Sequence, residues 1–364
     1  MKAAVLGANG FVGGRMVEKF HLEKTVEVRP VVRTYSGLAR LARFDNLDWR
    51  LADARDCAAL AKAIEGCDVV VNSIQGEPRV ILETAVQSYK AAQAAGVRRL
   101  VFISSAAVNG LAPAPGTDEA APIRTDSPFP YSNAKARAEG ELSRLRRGGS
   151  VELVILRPSI IYGPRSPRWT AGVAGELLDG TACLLDGGRG ICNTVYVDNL
   201  IEAVELSFAG AKSDGQVFFV SDREEVTWAD LYRPIAEALG VDMTAIPGPT
   251  GVTPQPRPAL KHALKQFHNS TRLQSILPFF PLRLKRVLRA AMATPVKWQV
   301  PNPWLQPEAG RPVLTEEMAG LERCKYKLPI RKAEDLLGYR PSVSFEEGCR
   351  RAVAWLRFAG YRAL

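Results

Sequence analysis

The 364-residue sequence contains no CxxC pair, only three histidines, and no apolar run approaching the roughly 20 residues of a membrane-spanning helix. Cys57, Cys67, Cys183, Cys192, Cys324 and Cys349 are scattered, which argues against a zinc knuckle, a redox dithiol and a disulfide framework. They read as buried thiols of a reducing cytosol. His21, His262 and His268 form no cluster with carboxylates, so neither a metal site nor a Ser-His-Asp site is supported. The apolar run Ala3 to Leu6 is too short for the core of a signal peptide and leads straight into glycines. The expected location is the cytoplasm, with a peripheral position at a membrane surface as the variant discussed next.

Acidic side chains are missing from one long segment. The net charge is +10, and between Met243 and Pro307 nine cationic side chains face no acidic one: Arg257, Lys261, Lys265, Arg272, Arg283, Lys285, Arg286, Arg289 and Lys297. On a helical wheel over Leu282 to Ala293, the apolar Leu284, Val287, Leu288, Ala291 and Met292 fall opposite Arg283, Lys285, Arg286 and Arg289. Three readings stay open: a lid helix on the substrate lobe, a membrane-surface contact through residues 276–304, or a basic doorway for an anionic, even lipid-linked, substrate. Nucleic acid is disfavoured, because no interleaved aromatic stacking motif accompanies the charges.

With 46% hydrophobic and 24% charged residues, the chain is that of a globular protein with a sizeable core. Its first half alternates short β-branched runs with alanine-rich helical stretches, the pattern of a parallel sheet covered on both faces. Strands are expected near Ala3 to Leu6, Val26 to Val32, Trp49 to Ala52, Val69 to Asn72, Val101 to Ser104 and Val151 to Leu156, with a return to β at Asn193 to Val197 and Val217 to Val220. The expected fold is α/β, a Rossmann doubly wound parallel sheet with a smaller, sequence-interleaved substrate lobe. Residues 1–164 are expected to form the Rossmann domain, with 191–221 returning to it. Residues 165–190 and 222–364 form the substrate lobe, including the basic apolar insert 243–307.

The first strand runs into Gly7-Ala8-Asn9-Gly10-Phe11-Val12-Gly13 and then a helical stretch. Gly7 permits the tight turn, Gly10 lets backbone approach a pyrophosphate, and Gly13 allows close packing of helix on strand. The strict G-x-G-x-x-G spacing fails at Asn9. At the end of the second strand stands Arg33, where an acidic residue would accept the ribose 2′-hydroxyl of NAD. A guanidinium cannot accept and pairs instead with a 2′-phosphate, so NADP is favoured, with NAD and a merely solvated loop arginine as the alternatives.

Tyr131 and Lys135 stand four apart at the start of a helical stretch, so both project from one face. An adjacent ammonium and the positive nicotinamide ring favour the phenolate, which is expected to lower the Tyr131 pKa from its usual value of about 10. Tyr131 could then exchange a proton with a carbonyl/alcohol couple, and Ser105, at a strand's C-terminal end, could hydrogen-bond the same oxygen.

These motifs in this order resemble the extended short-chain dehydrogenase/reductase (NAD-dependent epimerase/dehydratase) family. The match rests on Gly7-x-x-Gly10-x-x-Gly13, Asp53, Ser104 to Gly110, Tyr131-Ser132-Asn133-Ala134-Lys135, and Leu156 to Arg165. Thr194 to Asn199 and Leu337-Gly338-Tyr339-Arg340-Pro341 extend it, so that it covers about residues 1–240 and 328–358. The resemblance implies that Tyr131 is the general acid/base, that Ser105 is the catalytic hydroxyl, and that Lys135 holds the nicotinamide ribose and lowers the Tyr pKa. It further implies that Asp53 accepts from the adenine amine, that Pro158 and Ile160 flank the nicotinamide, and that Phe11, Val12, Ala54 and Ser73 join the cofactor contacts. Family substrates are mostly nucleotide sugars, with sterols and flavonoid-like alcohols in other branches.

Two departures narrow the activity. Ala106-Ala107 stands where the family's sugar dehydratases carry an acidic pair, so dehydration is not expected. Ile81 replaces an asparagine common early in the helix before Gly96. The expectation is thus an NAD(P)-dependent oxidoreductase, NADP-preferring, that reduces a ketone or oxidises a secondary alcohol on a sugar-like or lipid-like substrate, in a chain that could form a homodimer. The alternatives are a nucleotide-sugar epimerase with tightly bound NAD, and a non-enzymatic dinucleotide-binding subunit or sensor.

Overall fold

The computed structural model describes residues 1–210, 212–253 and 314–361. The expected amphipathic helix at 282–293 and the surface contact through 276–304 lie outside the described residues.

Seven strands form one parallel sheet in the order β3-β2-β1-β4-β5-β6-β9: β1 (Lys2–Leu6), β2 (Glu27–Val32), β3 (Arg50–Leu51), β4 (Val69–Asn72), β5 (Arg99–Ile103), β6 (Glu152–Pro158) and β9 (Gln216–Val220). The two-residue side-chain period of a strand feeds two cores at once. Ala3, Val5, Val69, Val71, Val101 and Ile103 enter one layer. Ala4, Leu6, Val70, Leu100 and Phe102 enter the other. Helices α1 (Phe11–Glu23) and α6 (Val197–Leu206) belong to the first layer, through Met16, Val17, Phe20, Ile201 and Val204. Helices α2 (Cys57–Ile64), α3 (Pro78–Ala94) and α4 (Pro130–Gly148) belong to the second, through Leu60, Ile64, Ala85, Tyr89, Ala138 and Leu142. This is the doubly wound Rossmann arrangement, and its direction of winding reverses between β1 and β4, where such sheets open a crevice at the strands' carboxyl ends.

The returning segment divides. Gln216–Val220 joins the main sheet beside β6, as expected. Thr194–Tyr196 (β8) instead pairs in parallel with Ile160–Tyr162 (β7) in a separate two-stranded sheet. A further pair joins Val252–Thr253 (β10) to Leu314–Thr315 (β11). The remaining helices are α5 (Ala171–Leu178), α7 (Trp228–Leu239), α8 (Glu316–Glu322), α9 (Arg331–Leu337) and α10 (Phe345–Phe358). The Thr194 to Asn199 motif and the Leu337 to Pro341 tail fasten these parts together. Arg15 on α1 makes two hydrogen bonds of 2.7 and 2.9 Å to Asp198, the Asn199 amide donates to Asp222 and to the Val343 carbonyl, and the Tyr339 hydroxyl donates to the Ser221 carbonyl. Among the described residues no helix is long and apolar enough to cross a membrane.

Candidate active site

The C-terminal ends of β1, β2, β4, β5 and β6 open into one cleft of about 760 Å³. At one end lies the glycine turn. Gly7 has φ +79°, which a side chain would make costly, and its carbonyl accepts from the Gly10 N–H at 2.9 Å. Gly10 then caps α1, whose first N–H groups and positive dipole end suit a pyrophosphate. A Cβ on Gly13 would collide with the Gly7 carbonyl oxygen and come within 2.6 Å of the Ser73 hydroxyl. Ser73 in turn donates to the Leu6 carbonyl at 2.6 Å, tying the ends of β4 and β1 together.

Gly7, Gly10, Phe11, Val12, Arg33, Asp53, Ala54, Ser73, Ser105, Tyr131, Lys135, Pro158 and Ile160 all line this cleft. Gly13 does not; it sits behind the turn and sets the helix-to-strand spacing. Val80 and Thr84 line the wall beside α3, while Ile81 is buried in the second core layer. Asp53 is held by Arg55 through hydrogen bonds of 2.5 to 3.2 Å, and this pairing keeps its carboxylate below the ordinary range. Arg33, at the same end, makes no ion pair among the described residues and is exposed. An open glycine cradle, a helix N-terminus and an uncommitted guanidinium together fit a dinucleotide.

At the other end of the sheet, Pro130 opens α4, where its missing N–H costs nothing. Tyr131, Lys135 and Glu139 follow on one face. The Lys135 ammonium is fully buried, donates to the Ile103 carbonyl at 2.7 Å, and lies 4.8 Å from the Phe102 ring centroid and 6.0 Å from that of Tyr131. Burial pulls its pKa down to about 7, against a smaller opposing pull from Glu139. The Tyr131 phenol shares a hydrogen bond with Ser105, whose oxygen also accepts from the Ala107 N–H. Protein groups alone raise that phenol to about 12, above its ordinary value. Burial is the largest cause and outweighs the Ser105 hydrogen bond, and Lys135 contributes no resolved effect.

Beneath this pair runs a buried network that sequence reasoning missed. The Ser104 hydroxyl donates to Glu139, which receives Arg157 Nη2 at 2.8 Å; Arg157 Nη1 continues to Asn109 Oδ1 at 3.0 Å. Glu139 stands four residues beyond Lys135, so the helical period was an available signal. The far end of the cleft was not signalled at all: Arg168 and Glu317 meet there across 149 residues of sequence, beside Trp169 and Trp228.

An NAD(P)H-binding family model matches residues 7–183. The chain is 29% identical over 265 residues to UDP-glucose 4-epimerase of Vibrio cholerae, covering 67% of this chain and 77% of that one. It is 30% identical over 258 residues to 3-diazoavenalumate denitrifying reductase of a Streptomyces species, covering 66% and 82%. The chain belongs to the extended short-chain dehydrogenase/reductase family. As such it is an NAD(P)-dependent enzyme of the oxidoreductase/epimerase type, acting on a small molecule. Similarity to 2-alkyl-3-oxoalkanoate reductase of Stenotrophomonas maltophilia, 25% identical over 371 residues, spans 97% of this chain and 99% of that one. The fold matches that of Thermotoga maritima UDP-glucose 4-epimerase solved with UDP-glucose, with TM-score 0.68, 19% identity and 99% of each chain covered.

Proposed function

We propose that this short-chain dehydrogenase/reductase is an NADP-preferring oxidoreductase that interconverts a ketone and a secondary alcohol on a lipid-like substrate, with Ser105, Tyr131 and Lys135 as its catalytic group. One observation carries the reading: the three side chains converge at the end of β5, in the same cleft as the Gly7 to Gly13 turn. Residues 1–164 and the returning β9 hold the cofactor; residues 165–190 and 222–364 shape the substrate side.

The cofactor, when bound, supplies or accepts the hydride. Its pyrophosphate would rest on Gly7, Gly10 and the start of α1, its adenine by Asp53 and Ala54, and its nicotinamide against Pro158 and Ile160. Arg33 would pair with a 2′-phosphate. In the reductive direction Tyr131 Oη donates its proton to the carbonyl oxygen, and the Ser105 hydroxyl hydrogen-bonds the same oxygen as negative charge develops there. A phenol at about 12 is protonated throughout the neutral range, the state a proton donor needs. Lys135, at about 7, is poised to take up charge as Tyr131 gives its proton away. The near full-length similarity to a 2-alkyl-3-oxoalkanoate reductase supports the lipid-like substrate.

Tyr131→Phe keeps the ring and removes the acid. It is expected to retain NADPH binding while turnover of an isoprenoid, steroid or alkyl ketone falls by about 10²- to 10⁴-fold. Unchanged turnover would refute the role given to Tyr131. The similarity to the Vibrio cholerae protein favours one second reading, a nucleotide-sugar epimerase. That reading predicts stoichiometric NAD in the purified protein, whereas the first predicts a protein that leaves gel filtration free of nicotinamide and takes up NADPH more tightly than NADH.

A further inference from the structure

The substrate half of the cleft is walled mainly by apolar side chains, among them Leu111, Ile161, Trp169, Trp228, Leu321 and Leu328. Four cationic side chains line the whole cleft among the described residues: Arg33 and Arg55 stand at the adenine end with Asp53, and Lys135 is buried against Ile103. Arg168 is the one left facing the substrate.

Two features suggest that Arg168 is arranged to receive a ligand. Its guanidinium lies 4.6 Å from the centroid of the Trp169 ring, and Trp169 is itself packed against Trp228 at 5.5 Å, so an aromatic wall orients the charge. Its ion pair with Glu317 is loose. Both terminal nitrogens reach a single carboxylate oxygen at 3.4 Å, and the two side chains are 47% and 26% exposed. By contrast, Arg15 meets both oxygens of Asp198 at 2.7 and 2.9 Å. The only other hydrogen-bond partner of Arg168 among the described residues is the Met318 sulfur at 3.4 Å, so no bidentate oxygen partner for the Arg168 fork is present among them. Arg168 and Glu317 line the same cleft as Tyr131 and Ser105, so an anion received here would share that cleft with the reacting carbon.

We propose that Arg168 holds a carboxylate on an otherwise apolar substrate, displacing Glu317 as its partner and placing the ketone or alcohol carbon at Tyr131. The substrate class is then an oxo or hydroxy acid with an alkyl or polycyclic body. Among the described residues, a nucleoside diphosphate, with two phosphates and a sugar, finds one cation on this wall. The inference rests on the oxidoreductase reading above and deepens it.

The test titrates full-length protein, saturated with whichever of NADP⁺ and NAD⁺ it binds more tightly, with decanoate and separately with 2-decanone. Decanoate is expected to bind about ten-fold or more tightly, the worth of one charge-assisted contact. Arg168→Ala should erase the difference while leaving 2-decanone and dinucleotide affinity unchanged, and Arg168→Lys should restore part of it. Glu317→Gln, which removes the competing charge, should tighten decanoate and leave 2-decanone alone. Equal affinity for the two probes, a preference that survives Arg168→Ala, or UDP binding more tightly than decanoate would each overturn the proposal. Failure to bind either dinucleotide would overturn the oxidoreductase reading with it; dinucleotide binding with equal probe affinities would overturn this inference by itself.

Discussion

Replacing Glu139 by Gln removes the charge on which a buried arginine depends. Arg157 and Glu139 are each 4% exposed, with Nη2 at 2.8 Å from one carboxylate oxygen and Nε at 3.1 and 3.3 Å from both. After the substitution, the guanidinium keeps only neutral acceptors, Asn109 Oδ1 at 3.0 Å and the Glu119 carbonyl at 3.3 Å. Stripping one partner from a pair this deeply buried costs about 3–5 kcal/mol, whereas removing both charges at similar volume is close to neutral. Glu139→Gln should therefore lose about 3–5 kcal/mol in urea unfolding, and Glu139→Met with Arg157→Met should recover most of it. The same change withdraws the one group that raises the Lys135 pKa, so any limb of the pH–activity profile that reports Lys135 should move to lower pH. A single variant within about 1 kcal/mol of the parent, or a double variant no better than the single one, would refute the reasoning.

Arg33→Ser should weaken NADPH by about ten-fold or more and leave NADH unchanged in fluorescence titrations, because a charge-assisted contact to the 2′-phosphate is lost. Equal losses for both would show that Arg33 does not discriminate. Gly13→Ala should cost about 1–3 kcal/mol of strain, offset by about 1 kcal/mol of helix propensity, and should weaken dinucleotide binding as the turn is pushed outward; a thermal-shift and titration pair checks it. Lys135→Met removes a group whose folded pKa is about 7 against an ordinary 10.5. Between those values the unfolded chain binds more protons, so in the parent this group adds stability as pH rises through that window and opposes folding most strongly below about 7. The variant should be more stable than the parent at and below neutrality, with a flatter pH dependence and without turnover. A parent and variant with parallel stability–pH curves would show that Lys135 is not desolvated.

Much of the fold was legible because its signals are local. A strand feeding a glycine turn and a helix, a two-residue alternation of Ala3 to Leu6 into two cores, and a four-residue step from Tyr131 to Lys135 are properties of backbone period and residue type. The order of the same motifs also located Ser105 and Arg33 on one cleft. The pairing of Thr194–Tyr196 was less legible: a short β-branched run looks the same whether it extends the main sheet or joins Ile160–Tyr162 beside it.

By itself, then, the sequence determined the doubly wound sheet, the dinucleotide cradle and the three side chains that meet beside it, since each follows from interactions between near neighbours along the chain. Tertiary structure decided the protonation of those side chains: a phenol pushed up to about 12 and an ammonium pulled down to about 7 are consequences of burial, which no spacing rule encodes. It also built the far wall of the cleft. Arg168 and Glu317 come from opposite sides of a long intervening stretch, and only the packing of Trp169, Trp228 and α8 around the cleft brings them together on the cleft that Tyr131 also lines.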